Sequence, residues 1–405
     1  MTEDLGGGDL SRLRQLNALA VIRTLRGEPG LTVTEISRRT GLSRASTEDV
    51  VRELLGRGWA VETEPTTGTV GRPARRYRFR ADAGHVLGVD IGGHKILAIV
   101  ADLDGEPRHS RRVAVTPEMG RRERLAAVDR TVKECLAGAG LTASDMWATG
   151  VSTTGLVDGT GRVMLSDALP EWTGVDLAAH LGRIVAGPIM VENDCKLAAL
   201  AESWRGVARY AKDVVFLLAG LRTGTGLIID GKLHRGFANA AGEIGALPVA
   251  GWIRAQEQLK SWPGEPSEAA GAAGESGAAG AAGAAGDPDS MAAELFAAAR
   301  NGDRRAAAAV RRYVKDLAVG ASALVLTLDP ELVVVGGGFS RSADLIVEPL
   351  RRELDRWCIR TPEVRVSAFA DEGVALGAVR LALDHVEQAL RGGGQLASPD
   401  RFPRA

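Results

Sequence analysis

The sequence predicts an α/β protein of two parts, an N-terminal winged helix-turn-helix and a larger two-lobed domain that follows it. Three observations support this fold class. The first 80 residues combine closely spaced helices with a basic hairpin. From His85 onward, apolar strand-like runs alternate with helical patterns. The chain of 405 residues is also longer than a single hydrophobic core usually organises.

The helices of the N-terminal part are marked by signals at their ends. Apolar residues at helical spacing predict a first helix over Leu10–Arg26. Thr32 and Glu35 have the spacing of a capping box and predict the start of a second helix. Ser43 is placed to cap a third helix that ends at Gly56. Two helices joined by a short Gly-containing turn are typical of a helix-turn-helix.

A basic hairpin follows the third helix. Trp59–Glu64 and Arg76–Arg80 alternate as strands, and Gly71–Arg80 contains five arginines. This density of arginine suits phosphate contacts and insertion into a narrow minor groove. We expect Tyr77 and Phe79 to anchor this wing on the domain core. The alternative is a solvated basic linker. The candidate DNA contacts in the wing are Arg72, Arg75 and Arg76.

The third helix is the candidate recognition helix. Arg44, Ser46 and Thr47 lie at its start, where side chains reach base edges in proteins of this type. Glu48 and Asp49 admit two interpretations. They are first-turn acids favoured by the helix dipole, which is the preferred interpretation, or one of them accepts a hydrogen bond from a cytosine amino group.

Composition limits the classes of function. Hydrophobic residues make up 45% and charged residues 25% of the chain, as in soluble globular proteins. The chain shows no signal-peptide pattern and no apolar run near the roughly 20 residues of a membrane helix, so we expect a cytoplasmic protein. Residues 1–80 carry a net charge of +4 and the remainder −5, which favours nucleic acid as the partner of the N-terminus. The three cysteines form no closely spaced pair, so neither a disulfide framework nor a thiolate zinc site is expected.

The larger part has the pattern of two lobes. We expect domains at 1–81, 85–202 and 203–390, with a tail at 391–405. Gly-Ala repeats at about 263–290 have little to bury and predict a disordered insert, with an Ala-rich helix as the alternative. The predicted strands are Val86–Ile91, Ile96–Asp102, Arg112–Val115, Trp147–Ser152, Pro188–Val191, Val214–Ala219, Gly226–Ile229, Leu332–Val335 and Val364–Phe369. The predicted helices are Arg121–Ala139, Met291–Arg300, Arg304–Leu326 and Val374–Leu390.

Six motifs occur in an order that resembles the ROK family of repressors, unknown reading frames and sugar kinases. The motifs are Val89–Lys95, Thr154–Asp158, Glu192–Asp194, Gly226–Leu233, Ala240–Gly245 and Asp329–Gly338. The resemblance extends over nearly the whole chain. It implies a ribonuclease-H-like fold of the actin and hexokinase type for the two-lobed domain.

The resemblance also assigns roles to residues. In the family's kinases, the counterpart of Asp194 removes a proton from the sugar hydroxyl that attacks the γ-phosphate. The counterparts of Asn193 and Glu243 hold other sugar hydroxyls. A carboxylate at the start of a helix can act as a general base and can accept hydrogen bonds from sugar hydroxyls. The alternative is that Asp194 serves only as the N-cap of the helix. The implied phosphate-loop residues are Asp90, Gly92, Gly93, Lys95, Thr223, Gly224, Gly337 and Gly338.

Four departures from the family pattern bear on catalysis. His94 replaces a threonine of the first phosphate loop, and Leu221-Arg222 replace small residues of the second. Ala246 replaces a zinc-ligating histidine, and the Cys-rich zinc loop that follows it in the kinases is absent. Thr154 replaces a proline near the sugar. We therefore expect no metal site and no cofactor: the zinc motif is absent, and the altered phosphate loops disfavour ATP binding. We also expect little kinase activity, because phosphoryl transfer depends on positioning and charge stabilisation.

These patterns predict a sequence-specific transcriptional regulator, most simply a repressor. Its partners would be operator DNA and a sugar or sugar-phosphate effector, with no membrane. A palindromic operator would imply a homodimer or homotetramer. Two alternatives stay open: an active ATP-dependent sugar kinase with an accessory DNA-binding domain, and a DNA-binding protein with a vestigial cleft that binds another protein.

Overall fold

A computed structural model describes residues 10–64, 74–220, 222–260, 288–392 and 398–399 of the chain. The predicted disordered insert lies outside these residues except for its last three, which begin a helix. The chain divides into two compact units, residues 1–194 with 375–405, and residues 195–374. None of the helices formed by the described residues is both long and apolar enough to cross a membrane.

The N-terminal domain is a winged helix-turn-helix, as predicted. Its sheet is antiparallel in the order β1-β3-β2. The capping box of Thr32 and Glu35 is formed, and Ser43 caps the third helix. That helix continues to Arg57 rather than ending at Gly56, because its cap is Gly58, which adopts the left-handed backbone that closes a helix. The elements are α1 Leu10–Leu25, β1 Leu31–Thr32, α2 Val33–Thr40, α3 Arg44–Arg57, β2 Ala60–Thr63 and β3 Arg76–Phe79.

The first lobe contains a five-stranded mixed sheet in the order β10-β7-β4-β5-β6. Strands β4, β7 and β10 are parallel, whereas β5 and β6 extend the sheet by antiparallel hairpins. The elements of this lobe are β4 His85–Ile91, β5 Lys95–Asp102, β6 Pro107–Ala114, α4 Arg121–Gly138, β7 Met146–Thr153, β8 Leu156–Val157, β9 Val163–Leu165, α5 Leu177–Leu181 and β10 Ile189–Asn193.

The second unit contains another five-stranded sheet, in the order β13-β12-β11-β14-β15. Its core joins the sheet to long helices through buried aromatic residues such as Trp252, Phe296 and Tyr313. The elements that follow β10 are α6 Asp194–Arg205, β11 Val214–Leu218, β12 Gly224–Ile229, β13 Lys232–Leu233, α7 Trp252–Lys260, α8 Pro288–Arg300, α9 Arg304–Leu328, β14 Leu332–Gly336, α10 Ala343–Trp357, β15 Glu363–Val366 and α11 Gly373–Gly392.

The last helix, α11, belongs to the first unit and not to the second lobe, where the sequence analysis put it. It lies directly on the first sheet: a Cβ at Gly88 would be 2.7 Å from the Ala375 carbonyl oxygen, and one at Gly150 would be 1.9 Å from that of Ala378. These glycines let the helix backbone touch the strands. The boundary between units also falls at the start of α6, not after residue 202.

The winged helix packs against the first lobe and α11 within the same unit. Trp59 is fully buried, stacks on Phe79 at 6.2 Å between ring centroids, and meets Trp147 edge-on at 5.8 Å. The Gln15 side-chain amide donates to the Leu390 carbonyl at 3.0 Å. Arg26 pairs with Glu387 of α11 at 2.5 Å. The winged helix is therefore joined to the rest of the unit by buried aromatic rings and a specific charge pair.

Candidate DNA-binding and ligand-binding sites

The exposed face of α3 carries arginines that pair with acids of the same helix. Arg44 pairs with Glu48 at 3.0 Å, and Arg52 pairs with Asp49 at 2.8 Å. Because α3 begins at Arg44, neither acid lies in its first turn, and the helix-dipole interpretation is wrong. Each acid is instead the ion-pair partner of an arginine on its own helix.

The other two predicted base contacts, Ser46 and Thr47, are less exposed than Arg44. Thr47 is fully buried and its hydroxyl donates to the Ser43 carbonyl at 2.9 Å, so the prediction that it reads bases is wrong. Its position shares the inward face of α3 with Val50 and Val51. Ser46 is half-buried and accepts a hydrogen bond from the Ser43 hydroxyl at 2.9 Å.

The wing arginines also separate into two groups. Arg75 is exposed, 3.4 Å from Glu62, and remains a candidate phosphate contact. Arg76 donates to the Gly30 carbonyl at 2.8 Å and lies 3.6 Å from Glu35, so it holds the domain together instead of facing DNA as predicted. Arg72 lies outside the described residues.

The predicted anchors of the wing are confirmed, since Tyr77 and Phe79 are buried. Sequence reasoning missed Arg52, although Arg44, Glu48 and Arg52 are spaced at i, i+4 and i+8 on one face. A surface groove runs between this face, the start of α2 and the wing strand. Its lining includes Thr32, Thr34, Arg44, Glu48, Arg52, Arg75 and Tyr77.

The candidate ligand residues of the first lobe meet at one edge of its sheet. Ile91, Thr153 and Asn193 are aligned at the carboxyl ends of the parallel strands β4, β7 and β10. Ligands of α/β proteins bind at this edge, because loops and helix starts converge there. The first phosphate loop follows Ile91, and α6 begins immediately after Asn193 with Asp194.

The candidate first phosphate loop is a hairpin turn beside an ion pair between a buried aspartate and a half-buried lysine. Asp90 is 4% exposed, and Lys95 lies 3.4 Å from its carboxylate. Burial raises the pKa of Asp90, and the Lys95 ammonium opposes that rise. Gly92 and Gly93 do not adopt left-handed backbone, and a Cβ at Gly93 would come no closer than 3.8 Å to a neighbour. The local fold therefore does not require Gly93, whereas close approach of a ligand would.

A buried arginine supports this loop and was missed by sequence reasoning. Arg124 of α4 has no solvent exposure and donates to the Gly92 carbonyl at 2.7 Å and the Thr116 carbonyl at 2.6 Å. Desolvation lowers the pKa of its guanidinium. The signal was weak because a single arginine near a helix start is ordinarily solvent-exposed.

Asn193 and Asp194 occupy the junction of β10 and α6. Asn193 is 6% exposed, and its amide donates to the Gly155 carbonyl at 3.1 Å. Gly155 has φ +93, and a Cβ there would lie 2.2 Å from the Leu165 carbonyl oxygen, so this loop requires glycine. Asn193 thus fixes the loop that carries Thr154, whose hydroxyl is 3.3 Å from that of Ser166. Asp194 is the half-buried first residue of α6.

In the second unit, Glu243 follows a glycine turn at the end of an exposed loop. Gly242 has φ +91, which places the carboxylate just after a left-handed residue. Glu243 keeps contact with solvent, yet the protein around it limits its hydration and raises its pKa. The ammonium of Lys196 opposes this rise. Lys196 is 1% exposed and was also missed by sequence reasoning.

The remaining phosphate-loop candidates lie in the second unit. The Thr223 hydroxyl is buried and forms no hydrogen bond within the described residues. A Cβ at Gly224 would be 2.6 Å from the Cys195 sulfur, so packing on α6 explains this glycine. Gly337 has φ +91, whereas the space around Gly338 is open. Arg222 is exposed beside this loop.

The three cysteines are free, with Cys135 and Cys195 buried and Cys358 half-buried. Within the described ranges, no three histidine, cysteine, aspartate or glutamate side chains cluster as a metal site requires.

The comparisons with known proteins agree with this architecture. Residues 86–385 match the model of the ROK family, so the chain belongs to that family. Residues 16–64 match the IclR helix-turn-helix domain. The chain is thus a ROK protein with an N-terminal DNA-binding fold.

Relatives with two different domain arrangements resemble it. A xylose repressor of Caldicellulosiruptor bescii is 24% identical over 93% of this chain and 97% of its own length. A glucokinase of Thermotoga maritima is 26% identical over 74% of this chain and 98% of its own length.

Two solved structures show the same fold. A ROK family transcriptional regulator, a homologue of the E. coli MLC protein, has a TM-score of 0.67 at 19% identity and covers 95% of this chain and 98% of its own. A ROK family glucokinase from Streptomyces griseus, in complex with glucose and AMPPNP, has a TM-score of 0.58 at 26% identity. It covers 74% of this chain and 100% of its own.

Proposed function

We propose that this chain is a transcriptional repressor that binds operator DNA through its winged helix and releases it when a sugar or sugar phosphate binds its ROK domain. The observation that carries the proposal is coverage. The xylose repressor aligns with 93% of the chain, so its alignment extends into the winged helix. The glucokinase aligns with 74% of the chain, a share no larger than the ROK match over residues 86–385.

The exposed charges of the winged helix support DNA as the partner. Arg44, Arg52 and Arg75 lie on its surface, each within reach of an acid that holds it only weakly. Exposed ion pairs of this kind contribute about 0–1 kcal/mol, so phosphate oxygens or a base edge can replace the acid at little cost.

The contact between the winged helix and the ROK domain supports coupling between effector and DNA. Helix α11 lies on the backbone of β4 and β7, the strands whose ends carry the candidate ligand residues. The same helix binds Gln15 and Arg26 of the winged helix. A shift of these strands on ligand binding would therefore reach the DNA-binding domain through packed elements.

We further propose that the chain lacks appreciable kinase activity. His94 and Leu221-Arg222 occupy phosphate-loop positions that small residues fill in the family's kinases, and removal of one preorganised donor typically costs roughly 3 kcal/mol of transition-state stabilisation. Asn193, Asp194 and Glu243 are retained, so a sugar can bind without ATP. No zinc or other cofactor forms part of this proposal.

The test is a binding experiment with the full-length chain. Purified protein is mixed with sheared genomic DNA, and the bound fragments are sequenced. We expect a small set of enriched sites, with release by one member of a panel of pentoses, hexoses and their phosphates. Indifference to all fragments would refute the repressor proposal. Specific binding that no sugar alters would favour a vestigial cleft with a protein partner.

The second candidate is an active sugar kinase, favoured by Asp194 at the start of α6 and by the intact Asp90–Lys95 turn. ATP-dependent phosphorylation of any sugar in the same panel, abolished by Asp194→Asn, would establish it. Phosphorylation that survives Asp194→Asn would point to a contaminating kinase.

A further inference from the structure

The loop between β13 and Glu243 is tied near its ends by backbone hydrogen bonds, from the His234 amide to the Leu227 carbonyl and from the Ala241 amide to the Arg235 carbonyl. Most of its residues are solvent-exposed, and the Phe237 ring projects fully into solvent. Asn239, Ala241 and Gly242 are half-buried, and Asn239 has φ +58, a left-handed conformation that asparagine tolerates better than most residues. The contacts of Asn239 therefore help to hold the exposed stretch between those ends in place.

The partner of Asn239 is the ammonium of Lys196, in the first turn of α6. Lys196 donates to both the backbone carbonyl and the side-chain oxygen of Asn239, the latter at 3.3 Å. With 1% exposure, Lys196 is a buried cation, and burial of a charge is unfavourable unless hydrogen bonds or an opposite charge compensate it. Its two contacts with one loop residue supply part of that compensation.

The opposite charge comes from the end of the same loop. The Lys196 charge lowers the pKa of Glu243 against the effect of burial. His234 and Arg235, the other charged or titratable side chains of the loop, are solvent-exposed. An ionised carboxylate is the stronger acceptor for a sugar hydroxyl, so the state of Glu243 matters for binding.

We propose that Lys196 is a positioning residue that fastens the loop over residues 234–243 to α6 and so presents Glu243 to the effector. The effect on the effector rests on the proposed function of the ROK domain. The attachment of the loop to α6 does not depend on the proposed function, because the hydrogen bonds between Lys196 and Asn239 need no effector.

The first experiment measures amide hydrogen exchange of the full-length protein without ligand. Lys196→Met keeps the apolar stem and removes the ammonium. We expect peptides from residues 234–243 to exchange about tenfold faster, while those of α3 and α9 keep their wild-type rates. Lys315→Met, at an exposed lysine of α9, is the matched control and should change nothing in the loop.

Asn239→Gly provides a second variant in case Lys196→Met does not fold. Glycine accepts the left-handed backbone and keeps the carbonyl acceptor, and only the side-chain oxygen is lost. We expect faster exchange in the same peptides, by a smaller factor. Wild-type exchange in this variant and in a folded Lys196→Met would overturn the proposal.

The second experiment separates positioning from general support of the fold. The Glu243 carboxyl is followed by carbon NMR with labelled glutamate, and its signal is assigned with Glu243→Gln. Removal of the nearby positive charge should raise the Glu243 pKa in Lys196→Met but not in Lys315→Met. An unchanged Glu243 titration would refute the electrostatic part of the role.

The third experiment uses D-xylose and D-glucose as probes of DNA release. If wild-type protein responds, Lys196→Met should require about tenfold more sugar for half-release. If the exchange and NMR effects appear while wild-type protein ignores every sugar of the wider panel, the fastening role stands and the effector proposal fails. A variant with normal sugar response and normal loop exchange would reject the inference.

Discussion

The two sides of the winged helix hold their charged and aromatic residues in different ways. Toward the ROK domain, Trp59 is buried between Phe79 and Trp147, and Arg26 and Glu387 are less than one-fifth exposed. On helix α3, by contrast, Arg44 and Arg52 are more than 70% exposed and pair with acids of their own helix.

The difference separates contacts that persist from contacts that can be exchanged. A buried ring or a partly buried pair cannot exchange its partner for water or a DNA phosphate without unpacking the domain, so its loss directly costs stability. An exposed pair costs little to break, and a DNA phosphate can take the place of the acid. The winged helix therefore combines a permanent attachment with a replaceable set of surface pairs. The predictions below test this division, ordered by their expected effect on the free energy of unfolding.

Trp59→Ala should have the largest effect. Loss of a fully buried tryptophan that contacts both domains should lower the free energy of unfolding of the first unit by about 4 kcal/mol. Chemical denaturation followed by circular dichroism measures it. Trp357→Ala is the control, since Trp357 at the end of α10 is half-exposed and should change stability by less than about 1 kcal/mol. Equal losses in both variants would contradict a buried attachment at Trp59.

Glu387→Gln should have the next largest effect. The substitution leaves Arg26 and Arg380 without their shared carboxylate and should cost about 2 kcal/mol near neutral pH, less than a fully buried pair because some solvent reaches both sides. The same denaturation experiment applies. Wild-type stability in this variant would show that the pair contributes nothing to the attachment.

The contribution of Glu387 should depend on pH in a defined direction. Burial acts to raise the pKa of Glu387, but Arg380 and Arg26 outweigh it, and the folded pKa lies below its ordinary value. A lowered carboxyl pKa stabilises the fold above the unfolded value of about 4.3, and this stabilisation is lost as the pH falls through the folded pKa. The gap between wild type and Glu387→Gln should therefore shrink in acid. A constant gap would contradict the ion pair.

Arg76→Ala and Arg75→Ala should distinguish an internal contact from a surface contact at neighbouring positions, since Arg76 begins β3 and Arg75 lies just before it. Arg76→Ala should lower the free energy of unfolding by about 1 kcal/mol and leave the salt dependence of DNA binding unchanged, because Arg76 binds the Gly30 carbonyl. Arg75→Ala should leave stability intact and reduce the salt slope by about one unit. Fluorescence anisotropy with an enriched DNA fragment at several salt concentrations measures the slope. If Arg75→Ala lowered stability and Arg76→Ala reduced the salt slope, Arg76 would be the DNA contact and Arg75 the structural residue.

Arg44→Ala should have the smallest effect on stability, within about 0.5 kcal/mol, because its ion pair with Glu48 is exposed. Its effect should lie in sequence preference, where one base position loses roughly 1–3 kcal/mol of discrimination. A sequence logo from random-library selection shows it, with Thr47→Ser as a comparison at a buried site. A logo that Arg44→Ala leaves unaltered would remove Arg44 from base recognition.

Much of the fold could be predicted because its signals are periodic and local. Nine strands and the helices named in advance recur with ends shifted by a few residues, as for Leu332–Gly336 and Arg304–Leu328. Helix α10 was missed although Ile346, Leu350 and Leu354 recur at helical spacing, with Pro349 inside the pattern. The short helices α5 and α7 offer too few turns for periodicity to stand out.

Sequence alone determined the features whose partners lie within a few residues. The capping box of Thr32 and Glu35 and the helix cap at Ser43 are formed as expected, because each hydrogen bond closes over three positions. The membership of the chain in the ROK family and the order of its motifs are also written in the sequence.

Tertiary structure decided the roles that depend on residues distant along the chain. Arg76 binds a carbonyl 46 residues away, Arg26 pairs with Glu387, and Lys196 with Asn239 holds a loop that no local pattern connects to α6. The free energy of a charged side chain depends on whether its surroundings replace water. Protein groups take the place of water only once separate segments have packed. The sequence alone therefore does not show whether an arginine is exposed on the surface or hydrogen-bonded within the domain.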